Sequence, residues 1–571
     1  MIMKRFFLSN FLFLCCITSL LSQTNERYAS NRLIVKLKTE YQKNYLQQTK
    51  SPKTLVQGAT NPLNLFDDLN KKYNLEKQEP IIIGDLVPCI VLHFAKDITI
   101  AEAIAAYKQT QLFEYVELDY VGYGEGECME VNNTETKKLS PPIIAPNDTY
   151  FNNQWGLLNN GTFSTTSIAG QDIKMLDAWS ITKGSSDIIV CILDSGAPLD
   201  HPELKDRIWI NTKEIPGNTI DDDGNGYVDD VYGWNFAGRN NNPYDDNGHG
   251  SNVTGIVGNI GNNNLGYAGI DWNCKLMIVK VLDANNTGFY SWWIYGIYYA
   301  VKNGAKVINM SLVGYDYSSA LNDALTYAWN NGVTIVAAMG NENSSVLRYP
   351  AGHHQSINVG SVNDDGRRTH PFLRSTSTAS GSNIGQHIDV TAPGNYIYGI
   401  SYKSLTDYTY YWGGTSQATP HVTGIVSLML SLDSTLTTQH IRDIIRATAD
   451  DQTTNSLEDT PGFDIFNGYG RVNATRALRA VLLTDTKDIS SSLKIYPNPS
   501  TGVLNIHADN ILSSSASVSV CNAIGQQVFS EKINNASNKT DFSLDLKSLK
   551  GLHFIRLNDG VKNYVQKIIL E

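Results

Sequence analysis

Ile188-Ile189-Val190-Cys191-Ile192-Leu193-Asp194-Ser195-Gly196 is the stretch that decides the fold. Six apolar residues run on without alternation, and then an acid, a hydroxyl and a glycine follow. Strands that keep one face in water alternate polar and apolar residues. A continuous run of Ile and Val is what a strand covered on both faces carries, as in a parallel sheet. Similar runs recur at 276–282, 307–312, 333–338 and 357–362. Helical stretches at 291–302, 321–330 and 419–432 lie between or after them. Strand and helix in alternation predict an α/β domain, a mostly parallel sheet flanked by helices, placed here at residues 147–483.

In such sheets, sites form beyond the carboxyl ends of strands and at helix starts. Four segments fit that position. Asp194 ends the opening stretch, and Asn247-Gly248-His249-Gly250-Ser251 opens a helical stretch. Gly413-Gly414-Thr415-Ser416-Gln417 opens another, and Gly340-Asn341-Glu342 follows a buried run. A serine between a glycine turn and a helix start is placed to be a nucleophile, because unpaired N–H groups there favour a developing oxyanion. His249 can take the Ser416 proton and return it to a leaving amine. Asp194 would hold the imidazole tautomer, and Asn341 could donate to the oxyanion beside the Ser416 N–H.

These motifs, in the order Asp, His, Ser, resemble those of the subtilisin-like serine endopeptidases, the subtilases. The likeness extends to His201-Pro202-Glu203-Leu204, Asn309-Met310-Ser311-Leu312 and Gly468-Tyr469-Gly470-Arg471. It implies a secreted endopeptidase with Asp194, His249 and Ser416 as catalytic residues and Asn341 in the oxyanion hole. It also implies a substrate pocket walled by Ser311, Leu312, Val313, Gly314, Ala338, Met339 and Gly340, with Arg348 near its floor. A buried guanidinium there would favour an acidic side chain, and a solvent-facing one would not. Two positions depart from the usual pattern. Asn252 stands where a second histidine is common, and Gln417 where methionine is common. Rival readings are a degenerate subtilase that binds peptides without cutting them and a surface adhesin.

Residues 221–230 carry five acidic residues. Asp221, Asp223 and Asn225 fall at alternate positions of a calcium-loop spacing, followed by Gly226 and the Tyr227 carbonyl, with Asp230 completing the candidate set. Tyr232 occupies the place of the closing glutamate, so the loop is not an EF-hand. A structural Ca2+ is the expectation, and a solvated acidic turn the alternative.

The flanks read differently. Lys4 and Arg5 precede an apolar run over 11–21, too short to span a bilayer, so residues 1–22 read as a secretory signal peptide. Residues 23–128 read as a small α+β unit resembling subtilase propeptides, an inhibitor and folding partner for its own enzyme. Residues 129–146, rich in Asn, Thr and Pro, form a cleavable linker. Residues 491–571, opening with Tyr496-Pro497-Asn498-Pro499, read as a β-sandwich resembling sorting domains of the type IX secretion system. Such a domain implies secretion machinery as a partner. The net charge of −11 argues against a nucleic-acid partner, and no further stretch is apolar enough to cross a membrane once the signal is removed. The five cysteines beyond the signal are scattered, without metal-type spacing.

Overall fold

The strand Ile189–Asp194 lies in the middle of a seven-stranded sheet. Its neighbours are Lys275–Lys280 on one side and Val307–Met310 on the other, both parallel to it. Beyond Val307–Met310 come Thr334–Ala338, Ser356–Val362 and Val390–Pro393, and beyond Lys275–Lys280 comes Gly233–Asn235. Every pairing in this sheet is parallel, so all seven carboxyl ends share one edge. Val190, Ile192, Ile278, Val307, Val336, Ile357 and Val390 are fully or almost fully buried in one cluster with the apolar side of Thr415–Leu432. Cys191, Leu193, Met277, Val279 and Ile308, which alternate with them, are buried as well, and burial on two faces explains the absence of alternation in the sequence.

This is a computed structural model, and it describes residues 27–50, 63–95, 99–130, 145–373, 375–451, 455, 457–484, 493–508, 517–522, 527–532, 541–558 and 563–570. The expected signal segment 1–22 and most of the expected linker lie outside these residues. The chain divides into two compact units, the first made chiefly of residues 1–122.

The first unit is α+β. Phe113–Gly124, Tyr28–Leu37, Ile90–Phe94 and Leu75–Pro80 pair antiparallel in that order. Helices Thr39–Lys50, Asn64–Lys72 and Ile100–Gln109 accompany them. Phe66 anchors the core, with its ring 5.3 Å from Phe113 and 6.0 Å from Tyr107. The buried Tyr107 hydroxyl donates to Asn70 at 2.7 Å, which satisfies a polar group that burial would otherwise penalise.

At the C-terminal end, Leu493–Tyr496, Val503–Ala508 and Asp541–Asp545 form one antiparallel sheet. Gln527–Lys532, Ser517–Asn522, Gly551–Asn558 and Asn563–Leu570 form a second. Leu504, Ile506, Val518, Val520, Ile555, Leu557, Ile568 and Leu570 share one core. They are pairs two residues apart, one inward face per strand, as the sandwich reading expects.

The helix Thr415–Leu432 starts a turn earlier than the sequence predicts, with Pro420 inside it. Proline has no N–H to offer the carbonyl four residues back, here that of Ser416. The Ser311 hydroxyl donates to that carbonyl instead, at 2.8 Å. The helix therefore continues through the proline without an orphaned acceptor.

Candidate active site

Asp194 is the last residue of its strand and is fully buried. Its Oδ1 lies 2.7 Å from His249 Nδ1 and accepts the Ser195 N–H at 2.7 Å. His249 opens the helix His249–Gly258 and is itself buried. Burial alone would lower the imidazole's pKa. The Asp194 carboxylate and its hydrogen bond reverse that, helped by the Glu125 carbonyl and the Asp245 charge, so the net shift is upward. An imidazolium formed at His249 is stabilised where it stands.

Glycine fixes the approach. Gly196 has φ +112°, and a Cβ on it would lie 2.5 Å from the Pro243 carbonyl oxygen. Only glycine lets the chain leave Asp194 in this direction.

Asp245 supports His249 and carries no marking motif. Its Oδ1 accepts from Ser195 Oγ at 2.9 Å, Asn247 N at 3.0 Å and Gly248 N at 3.1 Å. Its Oδ2 accepts from Ser251 N at 2.9 Å and Ser251 Oγ at 2.5 Å. One buried carboxylate thus satisfies the Ser251 N–H in the first turn of the His249 helix and the Asn247 and Gly248 N–H groups just before it, and ties that helix to Ser195.

Ser416 and Ser311 are joined twice. Ser416 Oγ donates to the Ser311 carbonyl at 3.1 Å, while Ser311 Oγ donates to the Ser416 carbonyl at 2.8 Å. Asn309 Nδ2 donates to Ser311 Oγ at 2.9 Å. His249 Nε2 faces the Glu125 carbonyl oxygen at 3.1 Å rather than the serine. Asn341 Oδ1 accepts from Thr415 N at 2.8 Å and Thr415 Oγ1 at 2.9 Å. That assignment turns Nδ2 the other way. A Cβ on Gly414 would lie 2.9 Å from Asn341 Nδ2 and 3.0 Å from the Glu125 oxygen. The absent side chain of Gly414 therefore leaves open the space beside both the Asn341 amide and the Glu125 carbonyl.

Leu312, Val313 and Gly314 form a short buried strand, and Gly314 exchanges two backbone hydrogen bonds with Tyr349 at 2.7 and 3.0 Å. Ala338 ends its strand and Gly340 receives support from Thr415 Oγ1 at 3.0 Å. Met339 packs with Ala337, Ala351 and Ile388, so its side chain backs the wall. Arg348 is buried, not solvent-facing. Its Nε donates to Glu342 at 3.0 Å, and its guanidinium lies 4.5 Å over the Tyr315 ring. Glu342 is a member of this pocket that the sequence reading quoted without a role.

The two departures from the usual motifs are both buried. Asn252 Oδ1 has no hydrogen-bond partner, and neither does either polar atom of the Gln417 amide.

In the acidic loop, Asp221 and Asp223 come together with Glu214, their carboxylate oxygens within 4.8 Å of one another. Glu214, seven residues upstream, falls outside the loop spacing that the sequence offers. Asp230 accepts instead from Asn211, Asn225 and Tyr299, and burial raises its pKa. Asn225 Oδ1 accepts the Tyr227 N–H at 2.8 Å. Of the expected ligand set, Asp221 and Asp223 share the cluster. Asn225 is engaged within the loop, Asp230 is engaged by Asn225 and by Asn211 and Tyr299 outside it, and the Tyr227 ring packs tilted against Trp234 and edge-on against Phe236.

A parallel sheet with these residues along one edge has the build of a serine peptidase. Residues 185–470 match the Subtilase family, and the chain belongs to that family, a subtilisin-like serine protease. It is 33% identical to thermitase of Thermoactinomyces vulgaris over 56% of this chain and 99% of that protein. It is 33% identical to a thermophilic serine proteinase of Bacillus sp. (strain AK1) over 63% of this chain and 77% of that one. A cell wall-associated protease of Bacillus subtilis is 30% identical over 71% of this chain but only 43% of its own length. Residues 494–571 match a secretion system C-terminal sorting domain. That domain indicates secretion to the extracellular space or cell surface. No helix among the described residues is long and apolar enough to cross a membrane.

Proposed function

We propose that this secreted protease cleaves proteins through an acyl-enzyme formed on Ser416. Ser416 Oγ attacks the substrate carbonyl carbon while His249 takes its proton. The oxyanion is met by Asn341 Nδ2 and the Ser416 N–H, one of the first N–H groups of its helix. His249 then passes the proton to the leaving amine, and water repeats the sequence on the ester. Asp194 stays ionised, holding the tautomer and the charge. The observation that carries this reading is the buried Asp194–His249 pair at 2.7 Å.

Two further roles go with it. Residues up to Glu125 act as the enzyme's own propeptide. Glu214, Asp221 and Asp223 offer hard carboxylate oxygens, a donor set that suits Ca2+. When bound, the ion would offset the mutual repulsion of these carboxylates and hold the loop to the body of the domain.

A fluorophosphonate probe tests the nucleophile. Wild-type protein is expected to label at one serine, and Ser416→Ala not at all. Equal labelling of the variant, or no labelling of correctly folded wild type, sinks the assignment.

A further inference from the structure

The segment Gly124 to Glu130 runs through the active-site edge as a substrate would. Gly124 is held by two hydrogen bonds to Asn286, its N–H to the backbone carbonyl and its carbonyl to Nδ2, each 2.9 Å. The Glu125 carbonyl faces His249 Nε2 at 3.1 Å. The partly buried Glu125 side chain turns towards the pocket wall. Its carboxyl takes a hydrogen bond from the Asn341 backbone N–H and lies in the fields of Glu342 and Arg348. Gly126 sits against Gln417: a Cβ on it would lie 2.9 Å from Gln417 Oε1 and 3.4 Å from the Trp412 ring. From there Glu127–Glu130 pairs antiparallel with Tyr410–Gly413, Glu127 opposite Gly413. The carboxyl of Glu125 therefore reaches the pocket wall at Asn341, its carbonyl oxygen faces His249 Nε2, and the next residues leave along a separate strand.

We propose that Glu125–Gly126 is the peptide bond this enzyme cuts in its own chain, and that the Arg348–Glu342 pocket receiving Glu125 makes bonds after glutamic acid and glutamine its preferred substrates. The proposal rests on Ser416 acting as the nucleophile. The Ser416 Oγ–Glu125 carbon bond forms as the Glu125–Gly126 bond breaks. The Ser416 proton travels through His249 to the Gly126 nitrogen, which becomes a new amino terminus. Water then adds to the ester, freeing Ser416 and leaving Glu125 with a terminal carboxyl.

The pocket's selectivity follows from its charges. Arg348 is already paired with Glu342, and Tyr315 also donates to Glu342. The pair leaves no uncompensated negative charge to attract a lysine. Burial, and next Glu342, push the Glu125 carboxyl up, against the pull of Arg348, to about 8. Near neutral pH the pocket therefore takes the glutamic acid as its neutral form, and an isosteric glutamine, which carries no cost of protonation, should enter at least as well. Gln417 offers an amide with no partner of its own beside Gly126, and any side chain larger than that glycine's hydrogen would have to displace it.

The test uses the full chain. Wild type and Ser416→Ala are produced side by side, and the first product is followed by intact mass and N-terminal sequencing. A wild-type product beginning at Gly126, with the variant uncut, is the expected result. A first cut elsewhere overturns the bond assignment while leaving the nucleophile standing. Cutting of the Ser416→Ala chain by itself overturns the nucleophile. In parallel, processed enzyme is given peptides differing only in the residue before the scissile bond. Glu and Gln are expected to exceed Lys and Leu in kcat/KM by about tenfold or more. Preference for Leu or Lys refutes the pocket assignment. Arg348→Leu leaves Glu342 unbalanced and should turn preference from Glu towards Lys; unchanged Glu preference in a folded variant also refutes it.

Discussion

Asp245→Asn is the most informative substitution outside the catalytic groups, because it changes charge and hydrogen bonding without changing shape. The carboxylate accepts five hydrogen bonds, three at Oδ1 and two at Oδ2. An amide keeps one acceptor oxygen and turns an NH2 on the other set. If the oxygen keeps Ser195, Asn247 and Gly248, the Ser251 hydroxyl can rotate and accept, but the Ser251 N–H is left facing a donor. One buried unsatisfied N–H costs about 1–3 kcal/mol, and the remaining bonds lose their charge assistance. We expect a loss of about 2–4 kcal/mol in unfolding free energy, read from denaturant midpoints at unchanged m-value. A second readout separates this from general damage. The Asp245 charge is one of the causes that raise the His249 pKa. A base with a raised pKa is unprotonated, and so active, only at higher pH; removing Asp245 lowers that pKa. The acid limb of kcat/KM should therefore move to lower pH in the variant. Stability loss of this size with the acid limb unmoved would refute the electrostatic link, and full stability would refute the hub.

Asn341→Ala should lower kcat by about 100- to 1,000-fold with a smaller change in KM, measured on a chromogenic peptide; an effect confined to KM would remove Asn341 from the oxyanion. Calcium removal by a chelator should lower the melting temperature, and Glu214→Gln should weaken that response; an unchanged melting curve would leave the acidic cluster without an ion. Activity should survive brief peroxide, because Gln417 stands where an oxidisable thioether is common, and rapid loss of activity without oxidation of other methionines would count against this. The Glu-to-Gln preference should fall as pH rises. A free glutamate ionises near about 4.3, whereas the bound one is pushed up to about 8 by burial and next by Glu342, against the pull of Arg348 and His249 and the Asn341 N–H, with the Tyr315 hydroxyl also nearby. Binding of the acid is therefore unimpaired below the first value and weakens progressively through that window. Gln does not titrate, so a flat ratio would refute the shift.

The strands of the sheet centre were legible because burial on two faces writes itself into composition. Val190 and Ile192 need no tertiary knowledge to be read as interior. The two edge strands were not. Gly233–Asn235 is three residues long, and Val390–Pro393 contains a threonine and a proline. Each is a strand because its neighbour's register supplies the hydrogen bonds, Ser356–Val362 for one and Lys275–Lys280 for the other. The start of the Ser416 helix was misplaced for a related reason. Proline at 420 is a helix boundary by local rules, and what overrides it is a hydroxyl from Ser311, more than a hundred residues away in sequence.

The same division runs through the site. Asp194, His249, Asn341 and Ser416 could be picked out because each sits at a strand end or helix start with glycine beside it, and backbone geometry forces that glycine. Asp245, Glu342 and Glu214 have no such local signature. Asp245 acquires its role by reaching Ser195 and the His249 helix together. Glu342 acquires its role by meeting Arg348 and Asn383, and Glu214 by receiving the Asp222, Asp223 and Asp229 N–H groups. The groups proposed to react need a fixed backbone, and that need leaves a motif. Groups that tune the field around them need only be near in space, and their carboxylates look in sequence like any solvated acid. Glu125 belongs to the second kind. Nothing around it in the sequence distinguishes it from Glu127 or Glu130, and what sets it apart is the pocket its side chain turns into.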